Sequence, residues 1–179
     1  MISALDTGSH NRQVFNRRRA LLIATLGTLG LLRSTANAKK SKNKKKKKKN
    51  KGSSSGAAGD VVQTAQKYKG AKYVMGGSTP KGFDCSGFVW YVYSKATGME
   101  IGRSVTEQWK QGKSVAKGSW LPGDIVFFQN TFDRGLSHDG IYIGGNDFIH
   151  AENEGTGVVI STLASGYYDD HYAGARRLL

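Results

Sequence analysis

The single cysteine, Cys85, and two of the four histidines, His138 and His150, are the residue types that a thiol enzyme requires. A cysteine nucleophile needs a base within hydrogen-bonding reach, and the base needs a third group that holds its tautomer and orientation. Taken alone, each histidine is more often structural or exposed, and a lone cysteine more often behaves as a small buried hydrophobe. Their combination in one chain favours a Cys-His-His unit.

Cys85 stands at the predicted start of an amphipathic helix. Asp84 precedes it as a candidate N-cap, and Gly98 is the candidate stop signal. Backbone amides and the positive dipole end at a helix start favour negative charge, so the position predicts a thiol pKa lowered toward the thiolate. The apolar face of this helix is predicted to comprise Phe88, Val89, Val92 and Tyr93.

The two histidines belong to neighbouring predicted strands, and the register between these strands decides whether they meet. His138 begins residues 138–144, His150 lies in residues 148–152, and Gly-Gly-Asn at 144–146 joins them as a hairpin connection. A three-residue loop would place both histidines diagonally on one face, with backbones about 7–8 Å apart. A two-residue loop at 145–146 would send His150 to the opposite face. The catalytic hypothesis therefore requires the odd-length connection.

Two other interpretations concern the same residue types. A metal site formed by Cys85, His138 and His150 is the rival chemistry, but the sequence lacks the closely spaced ligand pairs of zinc sites. We therefore expect no metal and no cofactor. His171 lies in an acidic, aromatic segment at 167–172 and is interpreted as a surface or packing residue.

The remaining pattern predicts an α+β domain over residues 60–179. A short helix is expected at 60–68 with Asp60 as its N-cap, and another opens at the capping-box pattern that begins with Ser104. Because the helices precede the strands, we expect an antiparallel sheet packed against the cysteine helix. Strands are predicted at residues 125–128, 138–144, 148–152, 158–163 and 175–178.

Positive charge is concentrated in the N-terminal part of the chain. The net charge is +14, yet residues 52–179 contain twelve basic and twelve acidic residues, while residues 39–51 contain ten lysines and no acid. This tract, from Lys39 to Lys51, should be disordered, with a Gly/Ser linker following to residue 59. A tether to an anionic cell-wall polymer or membrane surface and a solvated spacer are both open interpretations. No specific nucleic-acid partner is expected, because the tract lacks aromatic residues and the domain is neutral.

Residues 1–38 have the parts of an export signal. Three arginines at 17–19 precede an apolar run at 20–32, and small residues follow at 36–38, so cleavage is predicted after Ala38. An uncleaved membrane anchor is the alternative, and both general and twin-arginine export remain open. In an exported chain one cysteine cannot form an internal disulfide, so Cys85 must be a buried bystander or a free reactive thiol.

Several segments, in order, resemble the NlpC/P60 family of cell-wall cysteine peptidases, and within it the Spr-type murein endopeptidases. They are YVMGG at 73–77, DCSGFV at 84–89, LPGDIVFF at 121–128, SHDGIYIG at 137–144, FIHA at 148–151 and GARR at 174–177. The resemblance implies a reduced papain-like fold and hydrolysis of peptidoglycan stem peptides, often between D-glutamate and a diamino acid, or at D,D cross-links in the Spr type.

The resemblance also implies residue roles. Cys85 would be the nucleophile, His138 the general base and acid, and His150 the orienting third member. An amidase or acyltransferase with the same triad, and a non-catalytic wall binder acting through the lysine tract, are the alternative functions. A monomer is expected.

Three further residues match family positions around the implied substrate groove, and a fourth is a candidate for binding substrate. Tyr73 matches a family tyrosine near the oxyanion site, and Asp84 and Ser86 match positions that flank the nucleophile and line the groove. Arg103 is a candidate for binding a substrate carboxylate, and a solvated surface arginine is the alternative.

The chain departs from the family pattern at two positions. Met75 stands where an aromatic residue is usual and would alter a subsite wall. Asp139 stands where a small apolar residue is usual. By strand alternation Asp139 should point away from the face of His138. We therefore expect it to disturb the packing of the sheet more than it affects catalysis.

Overall fold

The structure is a computed structural model that describes residues 54–164 and 166–179. The predicted export signal, the lysine tract and the first residues of the linker lie outside the described residues. Within the described ranges, no helix has the length and apolarity needed to cross a lipid bilayer.

The first helix, α1, spans Ser54–Gln66 and therefore begins earlier than expected. Asp60 lies inside this helix and does not cap it, and residues 54–59 are helical where a flexible linker was predicted. Packing explains the difference, because Ala58 approaches the turn at Gly123 and Val61 and Ala65 are fully buried. Tertiary contacts of this kind override the weak helix propensity of a glycine-rich segment.

The cysteine helix, α2, spans Cys85–Thr97 as predicted. The Asp84 side chain caps it by accepting a hydrogen bond of 2.6 Å from the amide of Gly87, and Gly98 ends it in the left-handed conformation. The predicted apolar face is buried. Helix α3, Val105–Trp109, begins at the predicted capping box of Ser104 and Glu107, and a one-turn helix, α4, spans Tyr167–Asp170.

The strands form one six-stranded antiparallel sheet with the spatial order β3-β8-β4-β5-β6-β7. A small hairpin of β1 and β2 precedes the cysteine helix. The strands are β1 Ser78–Thr79, β2 Gly82–Phe83, β3 Lys113–Val115, β4 Ile125–Gln129, β5 Leu136–Gly144, β6 Asp147–Ala151, β7 Val158–Thr162 and β8 Tyr172–Arg177. The predicted α+β class and antiparallel sheet are confirmed, whereas β1, β2, β3 and α4 were not predicted.

The central strands bury both faces of the sheet. Phe127, Ile141 and Ile149 pack with α2 in the larger apolar cluster, and Phe128 and Phe148 belong to a second cluster on the other face. Alternation along β5 therefore decides which of its side chains point toward α2 and which point away from it.

Candidate active site

The structure joins His138 and His150 directly. His138 Nε2 lies 2.7 Å from His150 Nδ1, and His150 Nε2 lies 3.0 Å from the hydroxyl of Ser161 on β7. Both imidazoles are buried, with exposures of 3% and 0%. The result is a continuous hydrogen-bonded relay across three adjacent strands, β5, β6 and β7.

A bulge in the β5–β6 hairpin produces the register that the relay needs. Gly144 pairs with Asp147, so the tip of the hairpin is a two-residue turn, yet Ile141 pairs with Ile149 further down the strands. The shift lies between residues 142 and 144, where β5 carries one extra residue. The expected three-residue loop is therefore wrong, but the bulge compensates for the shorter turn, and the predicted placement of both histidines on one face is confirmed.

Gly140 makes room for the histidine pair. A Cβ atom at this position would lie 2.9 Å from the Cβ of His150 and 2.8 Å from the ring of Phe148. Only glycine allows β5 and β6 to approach this closely without displacing His150.

Burial keeps both imidazoles neutral near neutral pH. Desolvation lowers the pKa of His138 to about 4, and desolvation together with the charge of His138 lowers the pKa of His150 well below its usual value. Rings of Phe128, Phe148 and Tyr168 surround the pair with centroid distances of 4.6 to 6.2 Å. The two histidines therefore lie in a largely apolar, aromatic environment.

Cys85 is the first residue of α2, and only 4% of its surface is exposed. It lines a cavity of about 250 Å³ together with Tyr73 and Met75. Burial raises the pKa of the Cys85 thiol, and the Asp139 and Asp84 carboxyl groups raise it further. The expected lowering of the Cys85 pKa is therefore wrong. Desolvation and two acidic neighbours raise this pKa by more than the helix N-terminus lowers it.

Cys85 and His138 approach the site from different faces of the sheet. Phe127, a member of the α2-side cluster that contains Cys85, pairs with Asp139, whereas His138 pairs with Phe128 on the other face. Among the described residues, no hydrogen bond joins the Cys85 sulfur to His138. Because Nε2 of His138 contacts His150, Nδ1 is the nitrogen left for the thiol.

The cavity that His138 lines adjoins that of Cys85. It measures about 380 Å³ and is also bordered by Glu152, Asn153 and Tyr168. Phe132, an exposed side chain of the β4–β5 loop, lines both cavities. A ligand that passed Phe132 would therefore reach the thiol on one side and the imidazole on the other.

Arg103 is engaged within the protein and is neither a freely solvated arginine nor an unpaired anion-binding group. Its guanidinium donates to both carboxylate oxygens of Asp84 at 2.9 and 3.0 Å, to Ser86 Oγ at 3.2 Å and to the Gly77 carbonyl at 3.0 Å. A Cβ atom on Gly87 would lie 2.7 Å from this guanidinium. Arg103, Asp84 and Ser86 thus clamp the start of the cysteine helix.

Tyr73 is placed beside Cys85 by a bridge to Phe83, at the base of the hairpin before α2. Its ring lines the cysteine cavity. Burial raises the pKa of Tyr73 to about 12, with Cys85 and Asp84 contributing, so the phenol is protonated and can act as a donor. Met75 lines the same cavity and is 67% exposed.

Two residues of the site were not singled out from the sequence. Ser161 lies on the same face of the sheet as His150. It is a polar residue in a strand of mostly β-branched residues, and strand alternation could have identified it as a partner of His150. Gln108 is fully buried and donates to the carbonyls of Ser86 and Gly102 at 2.9 and 2.8 Å. No local pattern distinguishes this glutamine from an exposed one.

Asp139 points to the α2 side of the sheet, as alternation predicted. However, this side is where the thiol lies, and Asp139, when ionised, raises the pKa of Cys85. The expectation that Asp139 would affect packing more than catalysis did not take into account that Asp139 lies on the same side of the sheet as Cys85. Among residues 54–164 and 166–179, no group of three or more His, Cys, Asp or Glu side chains is arranged to hold a metal ion.

Comparison with known proteins identifies the family. The NlpC/P60 family profile matches residues 70–177, more than half of the chain. The chain is 48% identical over 118 residues to a gamma-DL-glutamyl hydrolase of Bacillus subtilis, an alignment covering 65% of this chain and 28% of that protein. It is 44% identical over 113 residues to the murein DD-endopeptidase MepS/murein LD-carboxypeptidase of Escherichia coli, covering 63% of this chain and 58% of that protein.

A solved structure shows the same fold. An NlpC/P60 family protein from Bacillus cereus superposes with a TM-score of 0.63 and 35% identity, over 68% of this chain and 40% of that chain. The family profile covers the segment that carries the cysteine helix and both histidine strands. From the sequence profile and these relatives, the chain belongs to the NlpC/P60 family.

Proposed function

We propose that this protein is a peptidoglycan hydrolase that cleaves amide bonds in murein stem peptides or cross-links through a Cys-His-His thiol mechanism. The observation that carries the proposal is the relay of His138, His150 and Ser161, whose cavity adjoins that of a cysteine that begins a helix, in an NlpC/P60 domain. The relatives named as a murein endopeptidase and a glutamyl hydrolase support amide hydrolysis.

The relay leaves one nitrogen of His138, Nδ1, free to act as the base. His138 accepts the Cys85 proton at Nδ1, and its Nε2–H then donates to His150. The thiolate attacks the substrate carbonyl, and His138 returns the proton to the departing amine. Water, activated by the same nitrogen, hydrolyses the thioester.

The oxyanion of the tetrahedral intermediate has two donors close to the nucleophile. The amide of Cys85 has no acceptor within its own helix, because Cys85 is the first residue of α2. The protonated phenol of Tyr73 lines the same cavity. Preorganised donors in a buried site stabilise such a charge strongly.

Charges along the two cavities suggest how a peptide would lie. Asp84 and Asp133 border the cavity of the thiol, and Glu152 borders the cavity of the imidazole. Carboxylates on both sides suit a substrate that carries amino groups, as murein peptides with a diamino acid do. The acylated part would occupy the Cys85 side and the leaving amine the His138 side.

Digestion of purified peptidoglycan tests the proposal. The full chain should release fragments that mass spectrometry assigns to a cleaved D-glutamyl bond or a cleaved cross-link, and Cys85→Ala should release none above background. The exposed Ser114→Ala provides a matched control that should retain activity. Identical fragment patterns from the wild type and Cys85→Ala would contradict the proposal.

The same digestion distinguishes the alternative functions. An amidase or acyltransferase with this triad would release the peptide from the sugar, or transfer an acyl group, without cutting within the peptide. A non-catalytic binder would lose its function on deletion of residues 39–51 and would keep it in Cys85→Ala.

Substrate and sequence together suggest where the protein acts. We propose export to the cell wall or periplasm through residues 1–38, with the tract from Lys39 to Lys51 binding an anionic wall polymer or membrane surface. The domain would act there as a monomer. Sizing chromatography of the full chain and its co-sedimentation with isolated walls, with and without residues 39–51, test these points.

A further inference from the structure

Asp139 is a fully buried carboxyl group to which the mechanism above gives no role. Its exposure is 0%, and within the described part of the chain neither carboxyl oxygen has a hydrogen-bond partner of acceptable geometry, although the Cys85 thiol is close enough to interact with the carboxyl group. An unpaired carboxylate in such a place opposes folding, so its presence calls for a functional explanation. The thiol of Cys85 lies next to it.

Titratable groups on three neighbouring segments lie close enough to Asp139 for their charges to interact with it. Asp84 and Cys85 approach from the start of α2, Arg103 from the segment before α3, and Tyr73 from the segment before β1. On β5 itself the neighbouring titratable residue is His138, which points to the opposite face. Arg103 is the cation of this set, and its guanidinium already binds both oxygens of Asp84.

We propose that Asp139 is a further catalytic residue, which remains a neutral carboxylic acid and donates a hydrogen bond to the Cys85 sulfur as the thiolate forms. The proton that leaves Cys85 goes to Nδ1 of His138, and Asp139 keeps its own proton. The activated site then contains a thiolate, an imidazolium and a neutral acid. A donor in a buried site stabilises the developing charge more than water would.

Ionisation of Asp139 would have the opposite effect. A carboxylate beside the sulfur repels the thiolate, so the site would lose its nucleophile as the pH rises. In agreement with this, burial and Asp84 raise the pKa of Asp139 well above its usual range, with only Arg103 and Cys85 opposing. The nearby Asp84 therefore favours the neutral form of Asp139.

The inference rests on Cys85 being the nucleophile, but its test does not require a substrate. The chain contains one cysteine, so the rate of alkylation by iodoacetamide reports Cys85 alone. The full chain, Asp139→Asn and Asp139→Val are to be compared between pH 5 and 9. Asp60→Asn, an exposed change on α1, is the matched control and should follow the wild type.

The two variants separate hydrogen-bond donation from charge. At the acidic end, the wild type should react roughly fivefold faster than Asp139→Val, with Asp139→Asn close to the wild type because its amide also donates. At the alkaline end, Asp139→Asn should exceed the wild type by roughly tenfold, because it cannot ionise. Infrared difference spectra should show a protonated carboxyl band that is lost in Asp139→Asn.

Two results would overturn the inference. One is superimposable pH profiles for the wild type and Asp139→Asn, which would mean that Asp139 does not act on the thiol. The other is faster alkylation of Asp139→Val than of the wild type at every pH, which would mean that Asp139 only hinders the thiolate. Failure of peptidoglycan digestion would leave both comparisons intact, so the two proposals fail independently.

Discussion

The tautomers of the two histidines are linked, and Ser161 decides between the two possible arrangements. His138 can accept the Cys85 proton at Nδ1 only if its own proton is on Nε2, which then donates to Nδ1 of His150. His150 must in turn carry its proton on Nε2 and donate it to Ser161. If the serine donated instead, the relay would reverse and Nδ1 of His138 would already be protonated.

Replacing Ser161 therefore affects the rate of catalysis more than substrate binding. Ser161→Ala should lower kcat roughly tenfold, a loss typical of residues that orient a functional histidine, and leave KM little changed. Ser161→Thr should restore most of the loss because it keeps the hydroxyl. Steady-state hydrolysis of a soluble muropeptide measures both constants. A change in KM alone, or no recovery with threonine, would show that the hydroxyl does not orient the relay.

At the level of elements, the approach of β5 to β6 is limited by a glycine. Gly140→Ala should lower the free energy of unfolding by about 1–3 kcal/mol and reduce activity, because the new methyl group overlaps His150 and Phe148. Gly59→Ala makes the same chemical change on α1, where nothing lies within 4 Å, and should leave stability unchanged or raise it by up to about 1 kcal/mol. Urea unfolding measures both variants, and equal effects of the two would contradict the packing argument.

The sequence predicted correctly those element boundaries that depend on neighbouring residues, such as the two ends of α2. Asp84 and Gly98 bound α2 because capping depends on a few neighbouring residues. The start of α1 depends on contacts with a distant turn, and the strand β3 depends on pairing with β8, so neither was visible in sequence periodicity. The bulge near Ile143 was also missed, although the register that it produces was predicted from the need to bring the histidines together.

For the site, the sequence indicated candidate residues but did not predict a property that depends on tertiary contacts. Cys85, His138 and His150 were chosen from residue type and spacing, and the structure brings the histidines into contact. The pKa of Cys85 was expected to fall because the helix start was considered alone. Its direction depends on burial and on the facing carboxyl group of Asp139, and these are tertiary properties that one segment does not reveal.

For the whole molecule, the buried histidines and Asp139 have opposite effects on the dependence of stability on pH. The pKa of His138 falls from 6.5 to about 4 on folding, and that of His150 also falls. Between about pH 5 and 6 the unfolded chain therefore binds two protons that the folded protein does not. The pKa of Asp139 is raised on folding, and if Asp139 stays neutral as proposed, the folded protein holds in the same range one proton that the unfolded chain has lost.

The difference of one proton predicts that stability falls on acidification by about 1.4 kcal/mol per pH unit in this range. Asp139→Asn removes the opposing proton, so its stability should fall about twice as steeply, at about 2.7 kcal/mol per unit. It should also be more stable than the wild type above pH 6, where the wild-type carboxyl carries its desolvation cost. Urea unfolding of both proteins at pH 5.0, 5.5 and 6.0 measures the slopes. Parallel slopes would mean that Asp139 is ionised in the folded protein, and the hydrogen bond that it is proposed to donate to Cys85 could not form.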